Sequence, residues 1–116
     1  LSAKGVAVFE YVYKDLAGLI ETNAKQEDIL TLIEEGMKYA VEVSATHIVY
    51  GCTHYPLVHG LYLEVKEKLG WNGEFIDPAA YVAQVVASWN LEGEKKFYPH
   101  ASKDTPAFIN NIIQLL

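Results

Sequence analysis

One cysteine stands among 116 residues. A single thiol excludes an internal disulfide and cannot build a zinc site by itself. It also makes the cytoplasm the default compartment. No apolar run reaches the roughly 20 residues that a membrane-spanning helix needs, so no membrane partner is expected. No basic stripe is available to neutralise phosphates, and the net charge is −6, which argues against nucleic acid as a partner. Leu1-Ser2-Ala3-Lys4 is not a basic segment leading into an apolar one, so no secretory leader is expected there. The first residue is not methionine, and Leu1 is not taken as a natural start. Internal repeats, low-complexity tracts and long linkers are missing too.

What is present suits a buried core. Hydrophobic residues make up 51% of the chain, and the length fits one ordinary domain or a piece of a larger one. Val6 to Tyr13 is dense in β-branched and aromatic residues and reads as a strand. Leu16, Leu19 and Ile20 give a short helical pattern within 14–21, and Thr22-Asn23-Ala24 interrupts it. From Gln26 to Val43, Ile29, Leu32, Ile33, Met37, Ala40 and Val41 recur at three and four residues, the spacing of one helix face. Gly36 lies inside that helix and costs about 1 kcal/mol relative to alanine, so close packing is expected there.

Thr46 to Tyr50 reads as a short strand, and Pro56 to Leu69 as a helix stopped by Gly70. Glu74-Phe75-Ile76 is another short strand. Asp77-Pro78 is a helix start, an aspartate cap followed by proline in the first turn, and this helix should reach about Trp89. A last strand is expected at Lys95 to Tyr98 and a last helix at Thr105 to Leu115. Alternating strands and helices predict an α/β architecture with a mainly parallel sheet. Such sheets bind ligands at the carboxyl ends of their strands. That selects the turn after Tyr50, the turn at Asp77 and the loop after Tyr98.

The first of these turns holds Gly51, Cys52, Thr53 and His54. Backbone N–H groups at a following helix start favour negative charge, raise the thiolate fraction of a nearby cysteine and can hold a carboxylate. The Thr53 hydroxyl is a further donor. His54, two residues from Cys52, can act as acid, base or charge partner. Gly51 is expected to let the backbone turn, and Pro56 to fix the helix entry. The same residues also admit a plainer account, with cysteine as core packing after an apolar strand and Thr-His as a helix cap. Asp77 reads as a cap and His47 as a structural strand residue; His59 and His100 carry no signal.

Gly51-Cys52-Thr53-His54-Tyr55-Pro56-Leu57, preceded by His47-Ile48-Val49-Tyr50, resembles the second catalytic-cysteine motif of the glutamate racemases. Phe75-Ile76-Asp77 before a helix is similar to that family's Ile-Asp segment. Leu19-Ile20-Glu21 resembles its Leu-Val-Glu, and Lys96-Phe97-Tyr98, with Ser102, Asp104 and Phe108 beyond, resembles its C-terminal end. The resemblance covers residues 12–116 and is sharp at 51–57. It departs from the family in three places. The family's first half carries an Asp-Ser pair and a Cys-Asn-Thr turn with the other catalytic cysteine, and neither is here. Tyr11 to Leu16 is more aromatic and charged than is usual there, and Pro78 stands where a serine is frequent.

The resemblance implies the C-terminal portion of a two-lobed racemase fold that interconverts L- and D-glutamate without pyridoxal phosphate or metal. It implies Cys52 as one of two proton-transferring thiols, Thr53 as a holder of the substrate carboxylate, and His54 as an aid to proton transfer. Glu21 is a tentative addition, set against the ordinary solvated glutamate of a helix surface. Residues 1–74 would belong to the second lobe and residues 75–116 would return to the first. The implied partners are glutamate and the missing N-terminal half, with a homodimer as a further option. In a bacterium the product would feed peptidoglycan. An α/β binding domain derived from a racemase, an aspartate racemase relative, and a cysteine hydrolase or transferase built on Cys52 and His54 are the alternatives.

Overall fold

A computed structural model describes residues 5–94, together with residues 96, 102–103, 106–107 and 109–110. Its elements run α1 (Leu16–Glu21), α2 (Gln26–Glu42), β1 (His47–Val49), a 3₁₀ turn (Tyr55–Val58), α3 (His59–Leu69), β2 (Glu74–Ile76) and α4 (Pro78–Ser88). The α/β reading holds, in a helix-rich form with a small two-stranded sheet. β1 and β2 are parallel, with His47 opposite Glu74, Ile48 opposite Phe75 and Val49 opposite Ile76. Tyr50 N–H donates to Ile76 O at 3.0 Å and Glu74 N–H to Thr46 O at 3.0 Å, which closes the ladder at both ends.

The core follows from the spacing of apolar residues. Ile29, Ile33, Met37 and Ala40 share one face of α2 and are buried, because steps of three and four residues return to the same side of a helix. They meet Leu16 and Ile20 of α1 and Tyr62 and Val65 of α3. Tyr50, at the end of β1, joins the same cluster and stacks on Phe75 of β2 at 5.7 Å. Trp71 packs edge-on against Phe75 at 5.2 Å, and its Nε1–H donates to Ala45 O at 2.8 Å. α3 stops at Gly70, whose left-handed φ of 62° lets Trp71 N–H reach back to Lys66 O at 3.1 Å. Gly36 packs closely, as expected: a Cβ there would overlap the hydroxyl and ring of Tyr13.

Two expected elements differ. Val6 to Tyr13 forms no strand, and Val6, Val8, Phe9 and Val12 are exposed. A β-rich composition becomes a strand only where a neighbouring strand takes its backbone hydrogen bonds, and among the described residues β1 and β2 pair only with each other. The helix expected from Pro56 opens instead as the 3₁₀ turn. Val58, at φ −113° and ψ 26°, interrupts the helical geometry, so α3 starts at His59. Of the expected strand at Lys95 to Tyr98 only Lys96 is described. The expected helix at Thr105 to Leu115 lies largely outside the described residues, with 106–107 and 109–110 helical.

α4 begins as its sequence suggests. The Asp77 carboxylate accepts from Ala79 N–H at 3.0 Å, and Pro78 occupies the first turn. No residue of α4 is buried. Tyr81, Val82, Val85, Val86 and the adjoining Trp89 present an apolar surface to solvent. Among the described residues no helix is long and apolar enough to cross a membrane.

Candidate functional site

The turn after β1 places Cys52 at the carboxyl end of a parallel strand, half-buried. Its Sγ lies 3.8 Å from Nδ1 of His54, within reach of a sulfur hydrogen bond. The opposite ring nitrogen, Nε2, is 3.3 Å from Oε2 of Glu21. That nitrogen is shielded from solvent and has no aligned hydrogen-bond partner, so the carboxylate attracts the ring without a well-directed bond. Thiol, imidazole and carboxylate thus form one line across three segments: the Cys52 turn, the entry to the 3₁₀ turn, and the last residue of α1.

Glu21 was the weakest of the sequence candidates, and the fold brings it into the group. Helix carbonyls disfavour a carboxylate at a helix C-terminus, and Glu21 sits there. Thr53 is exposed beside the thiol. Two details of the turn differ from expectation. A Cβ on Gly51 would meet nothing, and its φ is not left-handed, so no steric need for glycine exists there. The expected helix start is also not directly behind the thiol. Tyr55 N–H donates to Cys52 O at 3.3 Å and is committed within the turn, and α3 begins seven residues beyond Cys52.

Tyr55 adjoins this line, and Tyr13 packs on Tyr55 from behind. Tyr55 follows His54, and burial together with the neighbouring Cys52 raises its hydroxyl pKa. Tyr13 meets Tyr55 edge-on at 5.4 Å. Burial pushes the Tyr13 hydroxyl up to about 12. Density of aromatic residues at 11–13 and 55 was the available signal. His59 also has a role not foreseen: its Nδ1 is 2.7 Å from the Tyr50 hydroxyl. His47 is exposed, 2.9 Å from Thr46 Oγ1 and 3.9 Å from Glu74.

A cleft of ≈ 750 Å³ opens between the sheet and α4, lined among others by His47, Tyr50, His59, Asp77 and Tyr81. Cys52 is not among its walls, and the chemistry of the thiol line argues for the turn rather than the cleft as the site. Among the described residues no group of three or more His, Cys, Asp and Glu is arranged to hold a metal ion.

No family model and no solved structure matches the chain. Two curated proteins do. Glutamate racemase 3 of Caldanaerobacter subterraneus subsp. tengcongensis is 33% identical over 116 residues, spanning 91% of this chain and 41% of that protein. Glutamate racemase of Lactobacillus helveticus is 28% identical over 109 residues, spanning 85% of this chain and 40% of that protein. The chain therefore covers about two fifths of the length of the relatives it matches. Along most of its own length the chain is similar to these two glutamate racemases, each of which extends well beyond the matched stretch.

Proposed function

We propose that the chain is the C-terminal portion of a glutamate racemase and supplies one of the two thiols that move the α-proton. The observation that carries this reading is the Cys52–His54–Glu21 line at the end of β1. In a neutral imidazole one nitrogen donates and the other accepts. With N–H at Nε2 facing Glu21, Nδ1 is free to take the proton of Cys52. The resulting thiolate–imidazolium pair is the basic form of the site.

The reaction then has two halves. The Cys52 thiolate removes the α-proton from one face of glutamate. A second thiol, outside this chain, delivers a proton to the opposite face. Two groups are needed for inversion, because one base returns the proton to the face it left. Thr53 holds the substrate carboxylate, and a donor there also stabilises the charge that develops as the proton leaves. In a bacterium the D-glutamate formed supplies peptidoglycan, and the enzyme works in the cytoplasm without a cofactor.

The expected division, residues 1–74 in one lobe and 75–116 returning to the other, stays part of this proposal, with the boundary drawn close after β2. β2 is hydrogen-bonded to β1 and Phe75 packs on Tyr50, Tyr62 and Trp71, whereas α4 buries none of its own residues. On this reading the apolar face of α4 packs on the remainder of the racemase, and closure of the two lobes excludes water from the substrate.

The test is alkylation of Cys52 with iodoacetamide, with and without glutamate, alongside α-proton exchange in heavy water. Glutamate should slow alkylation, and the chain alone should not invert glutamate. Addition of a chain carrying the other thiol should restore inversion, and Cys52→Ser should abolish it. Efficient racemisation by this chain alone would refute the two-thiol reading. Alkylation indifferent to glutamate would favour a non-catalytic domain derived from a racemase.

A further inference from the structure

We infer that Tyr13 is a positioning residue for the Cys52 turn, acting through Tyr55. The inference rests on Cys52 being the working thiol.

Residues 6–13, ahead of α1, have no regular structure, and Val6, Val8, Phe9 and Val12 are exposed along them. Tyr13 is the one residue of 6–13 that is not exposed, and it holds this segment to the body of the protein. Three elements grip it. On α2, Gly36 leaves the space that the Tyr13 hydroxyl and ring occupy. On α3, Tyr62, itself 1% exposed, lies near enough for its hydroxyl to act on that of Tyr13. On the third side Tyr13 meets the edge of Tyr55, with ring centroids 5.4 Å apart at 79°. Tyr11 packs against Tyr13 from the segment itself at 5.0 Å, and continues to Tyr39 at 5.4 Å.

Tyr55 ties this support to the thiol. It opens the 3₁₀ turn, and its N–H donates to Cys52 O at 3.3 Å. Among the described residues its ring meets no aromatic ring except that of Tyr13. Burial first, and Cys52 second, raise the Tyr55 hydroxyl pKa. A path of direct contacts therefore runs from Gly36 through Tyr13 and Tyr55 to Cys52. The match between two distant positions gives the path its weight. A glycine inside a helix is intrinsically unfavourable, and here the missing side chain is the space that Tyr13 fills.

The experiment measures the rate of Cys52 alkylation at fixed pH in the full chain, with urea unfolding of each variant recorded alongside. Tyr13→Leu removes the edge contact and should raise the rate at least threefold with the folded baseline intact. Tyr13→Phe keeps the ring and should stay near the unmodified rate. Gly36→Ala places a methyl group where Tyr13 lies, improves helix propensity, and should accelerate alkylation as Tyr13→Leu does. In a Tyr55→Leu background, Tyr13→Leu should add nothing further, the non-additivity expected of one residue acting through another. Unchanged rates in folded Tyr13→Leu and Gly36→Ala would overturn the inference, and so would full additivity with Tyr55→Leu. Where Tyr13→Leu loses its fold, Gly36→Ala decides. Glutamate protection is scored separately, so a thiol indifferent to glutamate refutes the proposed function while leaving the alkylation comparison readable.

Discussion

Replacing the apolar face of α4 should weaken docking of the rest of a racemase while leaving the chain itself folded. Consider Val82→Gln, Val85→Gln and Trp89→Gln together. These side chains are 62%, 53% and 61% exposed. Full burial is worth about 1.5 kcal/mol for a valine and toward 3 kcal/mol for a ring as large as indole. Scaled by the fraction still exposed, complete covering of the three would contribute about 3.5 kcal/mol, about two and a half decades in affinity. Glutamine is a good helix former, so α4 should persist. The assay is calorimetric titration with a separate chain carrying the portion of the Caldanaerobacter racemase outside the matched stretch. Urea unfolding of each chain alone is the control, with an expected change within ~0.5 kcal/mol because the sites are exposed. An affinity unchanged within about twofold would refute the docking role of α4. A loss of more than ~1 kcal/mol in the isolated chain would show that the face is already used internally.

Asp77→Ala removes the carboxylate that accepts from Ala79 N–H and should cost about 1 kcal/mol, read by urea unfolding or by the helical circular dichroism signal. Ile33→Ala opens a cavity at a fully buried position between α1, α2 and α3 and should destabilise by 2–5 kcal/mol, about the loss typical of such truncations, measured by the same melts. Lys38 and Lys68 hold the Glu34 carboxyl at about 2, below its ordinary 4.5. A depressed folded pKa gives stability that is present above 4.5 and fades as pH falls toward 2. Glu34→Gln should therefore flatten the acid limb of a stability–pH curve in that window, and an unchanged limb would count against the Lys38–Glu34–Lys68 contacts.

Local signals made much of this fold legible. The three- and four-residue spacing of Ile29, Ile33, Met37 and Ala40 marked α2, and the Asp77-Pro78 pair marked the start of α4. Gly36 announced a close approach without saying what approached, because Tyr13 comes from a segment outside the helix pattern. Val6 to Tyr13 forms no strand because composition reports only a preference for extended backbone, while strand formation depends on a partner strand that sequence periodicity does not name. At the site, Cys52 and His54 were visible as near neighbours along the chain. Glu21 lies more than thirty residues from His54 in sequence, and only the packing of α1 against the 3₁₀ turn places its carboxylate near the ring. The tyrosine packing behind Tyr55 was hidden for a related reason: it joins positions 13, 55 and 62 from three separate segments.

The two tryptophans give the molecule a built-in optical readout. Trp71 is 8% exposed, with its indole N–H bonded to Ala45 O and the Lys66 ammonium 5.6 Å from its ring centre. Trp89 is 61% exposed at the end of α4. Emission from Trp71 should be blue-shifted and respond to unfolding of the core, while emission from Trp89 should be red-shifted and respond to whatever covers α4. One spectrum, resolved with a collisional quencher, then reports the integrity of the βαβ unit and the occupancy of its apolar flank as separate signals.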